Sequence, residues 1–574
     1  MTEQSREHNF EFALFGLAFI LALALRLFRL DVLPMGDVEA SWALQALNLS
    51  KGLRPEIGAQ PAYVIFTGLL FYILPVTNFT ARLVPAISGA LLCLIPFLFK
   101  DKLGIKVSVI LAFFLALDPG FLALSRTAGS PILALAAFLF ALGYIYRGQS
   151  AQAGVLLGIA LLSGPILWPG LIGLGLAASL QKGLFSKNLS GDNQTPAPIL
   201  HAHGTLKKWT TIALSAAGTY VLLGSLFFLV PGSLGSGLDS IPAYLKSWVN
   251  VSDVPITRLI LGLVFYEILA LVLALIGLVR GIIQRDRLVI FLGFWLLTSA
   301  ILAIANPSRT TADLIWLLVP LLTLAAQEVS RNMLPVLDGA LETIGMMVFT
   351  VAILVFSYIN YSAIALTSMD QVAFQLRVWV LIGAVSLLAI SIVLIAFGWS
   401  FPVAFQGSTW GVFLVLFFYT ISTAMAAGEL RSYQTLELWH SGPYAGQVQV
   451  MTRQLDDLSR WKTGVAKSLD VTLAEIDSPA ILWALRDWQV KTIPDANLSD
   501  QTPSIVIAPD QFTSTEIESS YRGKDWILST NPAWNQGLIS DWLRWSVLHV
   551  FPQSNEKIIM WVRSDLFLDF QNNR

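Results

Sequence analysis

The chain has 574 residues, of which 55% are hydrophobic and only 13% charged, with a formal net charge of −1 and a mean hydropathy of +0.67. Soluble domains carry about 25% charged residues, so this composition excludes one large soluble core, and the near-zero charge leaves no footprint for nucleic acid. The single cysteine, Cys93, excludes an intramolecular disulfide and a cysteine-based metal site.

The first apolar run, 10–30, ends at Arg26 and Arg29 and is followed by no small-residue cleavage site, so it reads as a retained helix. A long loop, 31–79, comes next. It is predicted to hold an amphipathic helix over 39–49 and an apolar piece over 62–74, closed by Pro75. That piece is too short to cross a bilayer and reads as re-entrant or interfacial. Further spans are predicted near 80–99, 107–124, 131–146, 154–162, 166–180, 210–230, 259–279, 288–305, 313–326, 346–366, 378–399 and 409–427. The total is about 13 crossings. The expected fold class is a polytopic α-helical membrane protein.

Orientation follows from the Lys/Arg bias. Lys100, Lys102 and Lys106 share one short loop, Lys182, Lys187, Lys207 and Lys208 a second, and Arg280, Arg285 and Arg287 a third. All three fall on one side, read as cytoplasmic, which puts loop 31–79 and everything after Gly428 outside, in a plasma membrane. From Gly428 charged residues return and apolar runs shorten. Helices are predicted over 451–461 and 479–488, and strands over 469–476, 504–508 and 557–562. Alternating helix and strand predicts a small extracytoplasmic α/β domain, 428–574, after a transmembrane domain, 1–427. The linker 184–204, rich in Ser, Pro, Asn and Gly, reads as a cytoplasmic loop.

Two carboxylates, Asp37 and Glu39, stand one residue apart just outside the first span. Two readings remain open on spacing alone. An acid in the first turn of a helix complements its dipole. A carboxylate at the membrane face can also deprotonate an acceptor hydroxyl, or hold a divalent cation such as Mg or Mn against a phosphate.

The surrounding residues narrow this. The run Arg26-Leu27, then Gly36-Asp37-Val38-Glu39-Ala40, then Gln60-Pro61 before a broken apolar segment, leads to Ala81-Arg82-Leu83-Val84-Pro85-Ala86-Ile87-Ser88-Gly89 entering a span. With Leu115-Ala116-Leu117-Asp118-Pro119 and Ser125-Arg126-Thr127-Ala128, this resembles the GT-C glycosyltransferase superfamily, in its protein O-mannosyltransferase and aminoarabinose-transferase branch. The likeness covers roughly residues 1–180, with weaker echoes at Tyr266-Glu267, Asn306-Pro307-Ser308-Arg309 and Leu482-Trp483-Ala484-Leu485-Arg486-Asp487.

The resemblance implies transfer of a sugar from a polyprenyl-phosphate carrier to an acceptor, whether protein, lipid or envelope glycan, at the outer face. It implies that the catalytic or metal-side acid maps onto Asp37 or Glu39. Two departures bear on this. Family members carry adjacent Asp-Glu before Ala, where this chain has Val38-Glu39. Many relatives also place an acid where this chain has Pro131. The second departure counts against a metal and leaves room for a diverged, non-catalytic subunit that scaffolds an envelope protein complex, a reading that retention of Asp37 and Glu39 disfavours. A transporter or flippase would show matching broken halves, and none is evident.

Arg126 and Arg309 are candidates to hold the carrier phosphate, with Arg82 as a third, and Glu267 either faces an intramembrane substrate cavity or is a neutral acid hydrogen-bonded between helices. Lipid-headgroup contact or a local ion pair is the plainer reading of each arginine. His201 and His203 read as solvated, and His440 and His549 as lacking a visible partner. Trp526, Trp534, Trp542, Trp545 and Trp561 read as a small core more readily than as sugar-stacking faces.

Overall fold

A computed structural model describes residues 3–53, 57–186, 206–231, 233–332, 340–366, 371–431, 435–440, 442–493, 502–511 and 520–570. His201, His203 and most of the predicted linker lie outside the described residues.

Seven described helices are long and apolar enough to cross a membrane: Phe10–Leu27, Asn78–Leu98, Arg287–Ala305, Thr311–Arg331, Ala340–Leu366, Val372–Gly398 and Phe401–Ala427. Two apolar pairs are sharply bent, Ile105–Leu117 with Pro119–Ser125 by 53° and Ile256–Tyr266 with Ile268–Ile283 by 86°, giving nine if each pair is one span. Pro61–Ile73, Ile132–Tyr146 and Ser150–Leu161 are apolar but shorter. The protein is a polytopic helical membrane protein. Thr311–Arg331 is its axis, with 83% of its apolar window enclosed against 11% for Val372–Gly398, so the latter presents its apolar surface outward.

The first bend has a local cause. Pro119 brings no backbone N–H to the helix, and Asp118 Oδ1 accepts from Phe121 N at 2.7 Å, capping a new helix where a continuous span over 107–124 is expected from sequence. The predicted span over 259–279 likewise breaks at Glu267, which ends one helix and starts the next. Glu267 therefore sits at an elbow, not within a straight crossing.

The tail carries a six-stranded mixed sheet in the order β1-β5-β6-β4-β2-β3, with β1 Tyr444–Ala445, β2 Asp470–Ala474, β3 Gln489–Ile493, β4 Ile505–Pro509, β5 Tyr521–Pro532 and β6 Gln553–Arg563. β2 pairs in parallel with both β3 and β4, and β6 runs antiparallel to β4 and β5. β4 is buried on both faces, as its unbroken apolar run requires. Met451 and Leu455, one turn apart on helix Val448–Thr463, cover the sheet's apolar face. The predicted strands fall on β2, β4 and β6. No sequence signal marks β3, an edge strand that is mostly exposed.

Candidate functional site

Helix Asp37–Ser50 packs on Pro61–Ile73 of the same loop and on Pro479–Ala484 of the tail. The first loop and the tail domain thus share one side of the helical layer. Trp483 fastens the contact, its Nε1 donating to Asn78 Oδ1 at 2.9 Å and its ring lying 5.9 Å from Phe71. Arg486 stacks over Trp483 and donates to Val76 O at 2.9 Å.

Asp37 lies in this seam. Its Oδ1 accepts from Ser478 Oγ at 2.6 Å and from Ala480 N at 2.9 Å. Ser478 in turn caps Pro479–Ala484 by accepting from Ile481 N. Asp37 is half-buried, and its Oδ2 carries no hydrogen bond among the described residues.

Glu39 is used differently. Its Oε1 accepts from Arg82 Nε at 3.0 Å and Ala128 N at 2.6 Å, and its Oε2 from Arg82 Nη2 at 2.6 Å. Arg82 also donates to the carbonyls of Leu30, Leu33 and Pro34. One buried ion pair therefore gathers the end of the first helix, the loop helix, the Asn78–Leu98 span and the turn after Ser125. That turn passes through Gly129 at φ +67°, where a side chain would meet the Trp42 indole. Glycine is required there by both conformation and space.

Arg126 sits just beneath. Its Nη1 donates to the carbonyls of Leu25, Arg26 and Phe28, while its Nε and Nη2 are buried without partners. Burial above all, with Arg82 nearby, pushes its guanidinium down to about 10, which still leaves it cationic at neutral pH. Arg26, Arg29 and Arg82 act on it as like charges, and Glu429 as an opposite one. Guanidinium charge is in slight excess here: Arg26, Arg29, Arg82 and Arg126 stand against Glu39, Glu429 and Asp118, the last acting on Arg26.

The other candidates lie apart. Arg309 donates weakly to Val254 O at 3.4 Å and leaves Nε buried and unpaired. Its carbonyl accepts from Ser252 Oγ at 2.7 Å, so both of these contacts are with the segment before Ile256–Tyr266. Glu267 meets Asp118 carboxyl to carboxyl, and Glu267 Oε1 and Asp118 Oδ2 have no other partner. His440 and His549, read as lacking partners, in fact face Glu429 at 3.2 Å and Glu437 at 3.1 Å.

The donor set does not fit a metal. Both Glu39 oxygens are held by a guanidinium and an amide, which a dication would have to displace. Among the described residues no group of three His, Cys, Asp or Glu side chains could hold one.

The fold is GT-C-like. The chain superposes over almost its whole length on ArnT from Cupriavidus metallidurans bound to undecaprenyl phosphate, with 13% identity, 98% of this chain and 99% of that one covered, and a TM-score of 0.55. The apo form of the same ArnT matches at 12% identity over 98% and 99% of the two chains, with a TM-score of 0.53. An Archaeoglobus fulgidus oligosaccharyltransferase in complex with Zn and sulfate aligns at 13% identity over 86% and 68% of the two chains, with a TM-score of only 0.34. No protein-family profile and no curated protein sequence matches the chain.

The GT-C likeness expected from sequence thus holds for the fold as a whole. Sequence reasoning missed Ser478 and Glu429 altogether, and gave no site role to Arg26 and Ala128 although both stand in the motif runs. All four reach the site through long-range packing, and only the polarity of the motif residues flagged the region.

Proposed function

We propose that this chain is a membrane glycosyltransferase that takes a sugar from a polyprenyl-phosphate carrier and passes it to an acceptor at the first-loop face. The Lys/Arg bias of the other loops supports placing that face, and the tail domain, outside the cytoplasm of a plasma membrane. The observation that carries the reading is the near-complete superposition on the fold of ArnT, whose structure holds undecaprenyl phosphate. Beneath the first loop, the unmatched N–H groups of Arg126 and the surplus guanidinium charge suit a phosphate.

In this reading Asp37 is the general base, because Glu39 has no oxygen to spare. Asp37 Oδ2 takes the proton from an acceptor hydroxyl as that oxygen bonds to the anomeric carbon. The carbon–phosphate-oxygen bond breaks, and the polyprenyl phosphate leaves with the electron pair, its charge offset by Arg126. Glu39 and Arg82 hold the loop that presents Asp37.

One observation favours a second reading, a non-catalytic GT-C-like subunit that scaffolds an envelope complex. Both Glu39 oxygens and one of Asp37 are already spent on structural bonds. Mass spectrometry of lipid-linked sugars in membranes lacking and then regaining the chain separates the two. A polyprenyl-phosphate sugar that accumulates without the chain and clears with it supports transfer. A lipid pool that never changes supports the scaffold.

A further inference from the structure

The bundle also contains an apolar cavity that the glycosyl-transfer reading does not use. Its volume is about 110 Å³, well above the about 10–15 Å³ that a single water needs and room for part of one hydrocarbon chain. Side chains from Asn78–Leu98, both halves of the first bent pair, Ile132–Tyr146, Leu167–Ser186, Arg287–Ala305 and Thr311–Arg331 line it. All are apolar except Lys102, Thr323 and the indole of Trp295. Thr323 spends its hydroxyl on Val319 O at 2.7 Å, and Trp295 Nε1 is buried without a partner. The bore thus offers hydrocarbon contact and very little polarity.

Its mouth is different. Lys102 follows the Asn78–Leu98 span, whose 21 residues separate it from the first loop by about 30 Å at 1.5 Å per residue. The cavity therefore belongs to the opposite side of the layer from Asp37. The neighbouring charges there are matched: Lys100 lies 3.9 Å from Glu11, and Arg147 lies 4.0 Å from Asp101. Lys102 has no ion pair or hydrogen bond among the described residues, and burial alone pushes its ammonium down. A half-buried cation without a counter-ion is unfavourable unless an anion joins it.

We propose that this cavity binds an anionic membrane lipid, with the lipid phosphate on Lys102 and part of one hydrocarbon chain in the bore. A free phosphate gains nothing from the apolar walls, and a zwitterionic lipid brings, beside its phosphate, a quaternary ammonium that repels Lys102. A lipid from the leaflet bathing Lys100, Lys102 and Lys106 satisfies both halves of the site at once. The inference does not depend on the glycosyltransferase reading, since it concerns the other membrane face.

The test is native mass spectrometry of the full chain in detergent, titrated with phosphatidylglycerol and phosphatidylcholine of matched short chains. Phosphatidylglycerol is expected to be retained about tenfold more tightly. Lys102→Gln should bring the two lipids to parity, while Lys106→Gln, an exposed cation outside the lining, should keep the preference. Ala178→Phe, which fills the bore, should weaken both lipids. Equal retention by the wild type overturns the proposal. So does a preference that survives Lys102→Gln, or displacement of the lipid by an equal concentration of inorganic phosphate. Should Ala178→Phe lower the melting temperature, the comparison of Lys102→Gln with Lys106→Gln decides alone.

Discussion

Asp37 and Glu39 stand one residue apart and do different work. Glu39 is a buried partner for Arg82 in a two-pronged geometry, with Ala128 N completing its shell. Removing one member of such a pair strands the other charge, which costs about 3–5 kcal/mol. Glu39→Ala should therefore lower the melting temperature sharply, and the double variant Glu39→Leu/Arg82→Met should recover only part of the loss, because it leaves Ala128 N and the carbonyls of Leu30, Leu33 and Pro34 without their partners. Thermal unfolding of purified protein reads both, and an unchanged midpoint for Glu39→Ala would contradict the pair's structural role. Asp37 differs because one oxygen is enough for Ser478 and Ala480. An asparagine there still accepts both hydrogen bonds while losing the capacity to take a proton.

At the scale of elements, the short helix Pro479–Ala484 holds the site together from the tail. Ser478 caps it and simultaneously donates to Asp37. Loss of a cap costs about 1 kcal/mol, so Ser478→Ala should speed amide exchange in both Pro479–Ala484 and the start of Asp37–Ser50. Faster exchange in the tail helix alone would count against the coupling. The two elbows carry acids that meet, Asp118 with Glu267. Glu267→Gln keeps a donor for Asp118 and should be tolerated. Glu267→Leu leaves a buried oxygen unmatched, a loss of about 1–3 kcal/mol visible as a lower melting temperature.

These elements also mark where the sequence is legible. Apolar runs mark the helices, but the roughly 13 crossings expected exceed the seven to nine described spans, because segments such as Ile132–Tyr146 and Ser150–Leu161 are too short to cross alone. The elbow at Asp118 is foreshadowed by Pro119, whereas nothing beside Glu267 announces the second. The polarity of Asp37, Glu39, Arg82 and Arg126 singles out residues that the fold brings into one neighbourhood. Their division of labour does not show in the chain, because Glu39 meets Arg82 and Ala128 N only after the loop folds back on the bundle. Ser478 reaches Asp37 from the far end of the chain, and no local pattern encodes that.

Across the whole molecule, the tail is sealed to the bundle and does not hang from a tether. Trp534, Trp545 and Phe551 join the bundle's own apolar core, while Trp526 belongs to the sheet's. Glu437, fully buried, accepts from Tyr266 and faces His549, and Arg258 donates to the carbonyls of Leu438 and His440. Glu437→Ala should loosen this seam, so limited proteolysis within 428–446 should accelerate relative to wild type. A seam of this kind holds the tail beside the first loop, where the proposed transfer reading places the acceptor.

The most direct test of the account is clearance of lipid-linked sugars by Asp37→Asn, measured by mass spectrometry in membranes that otherwise lack the chain, at matched amounts of folded protein. The account predicts that the variant folds as the wild type does and leaves the polyprenyl-phosphate sugar uncleared. Clearance equal to that of the wild type would contradict Asp37 as the base, and with it the chemistry assigned to the first loop.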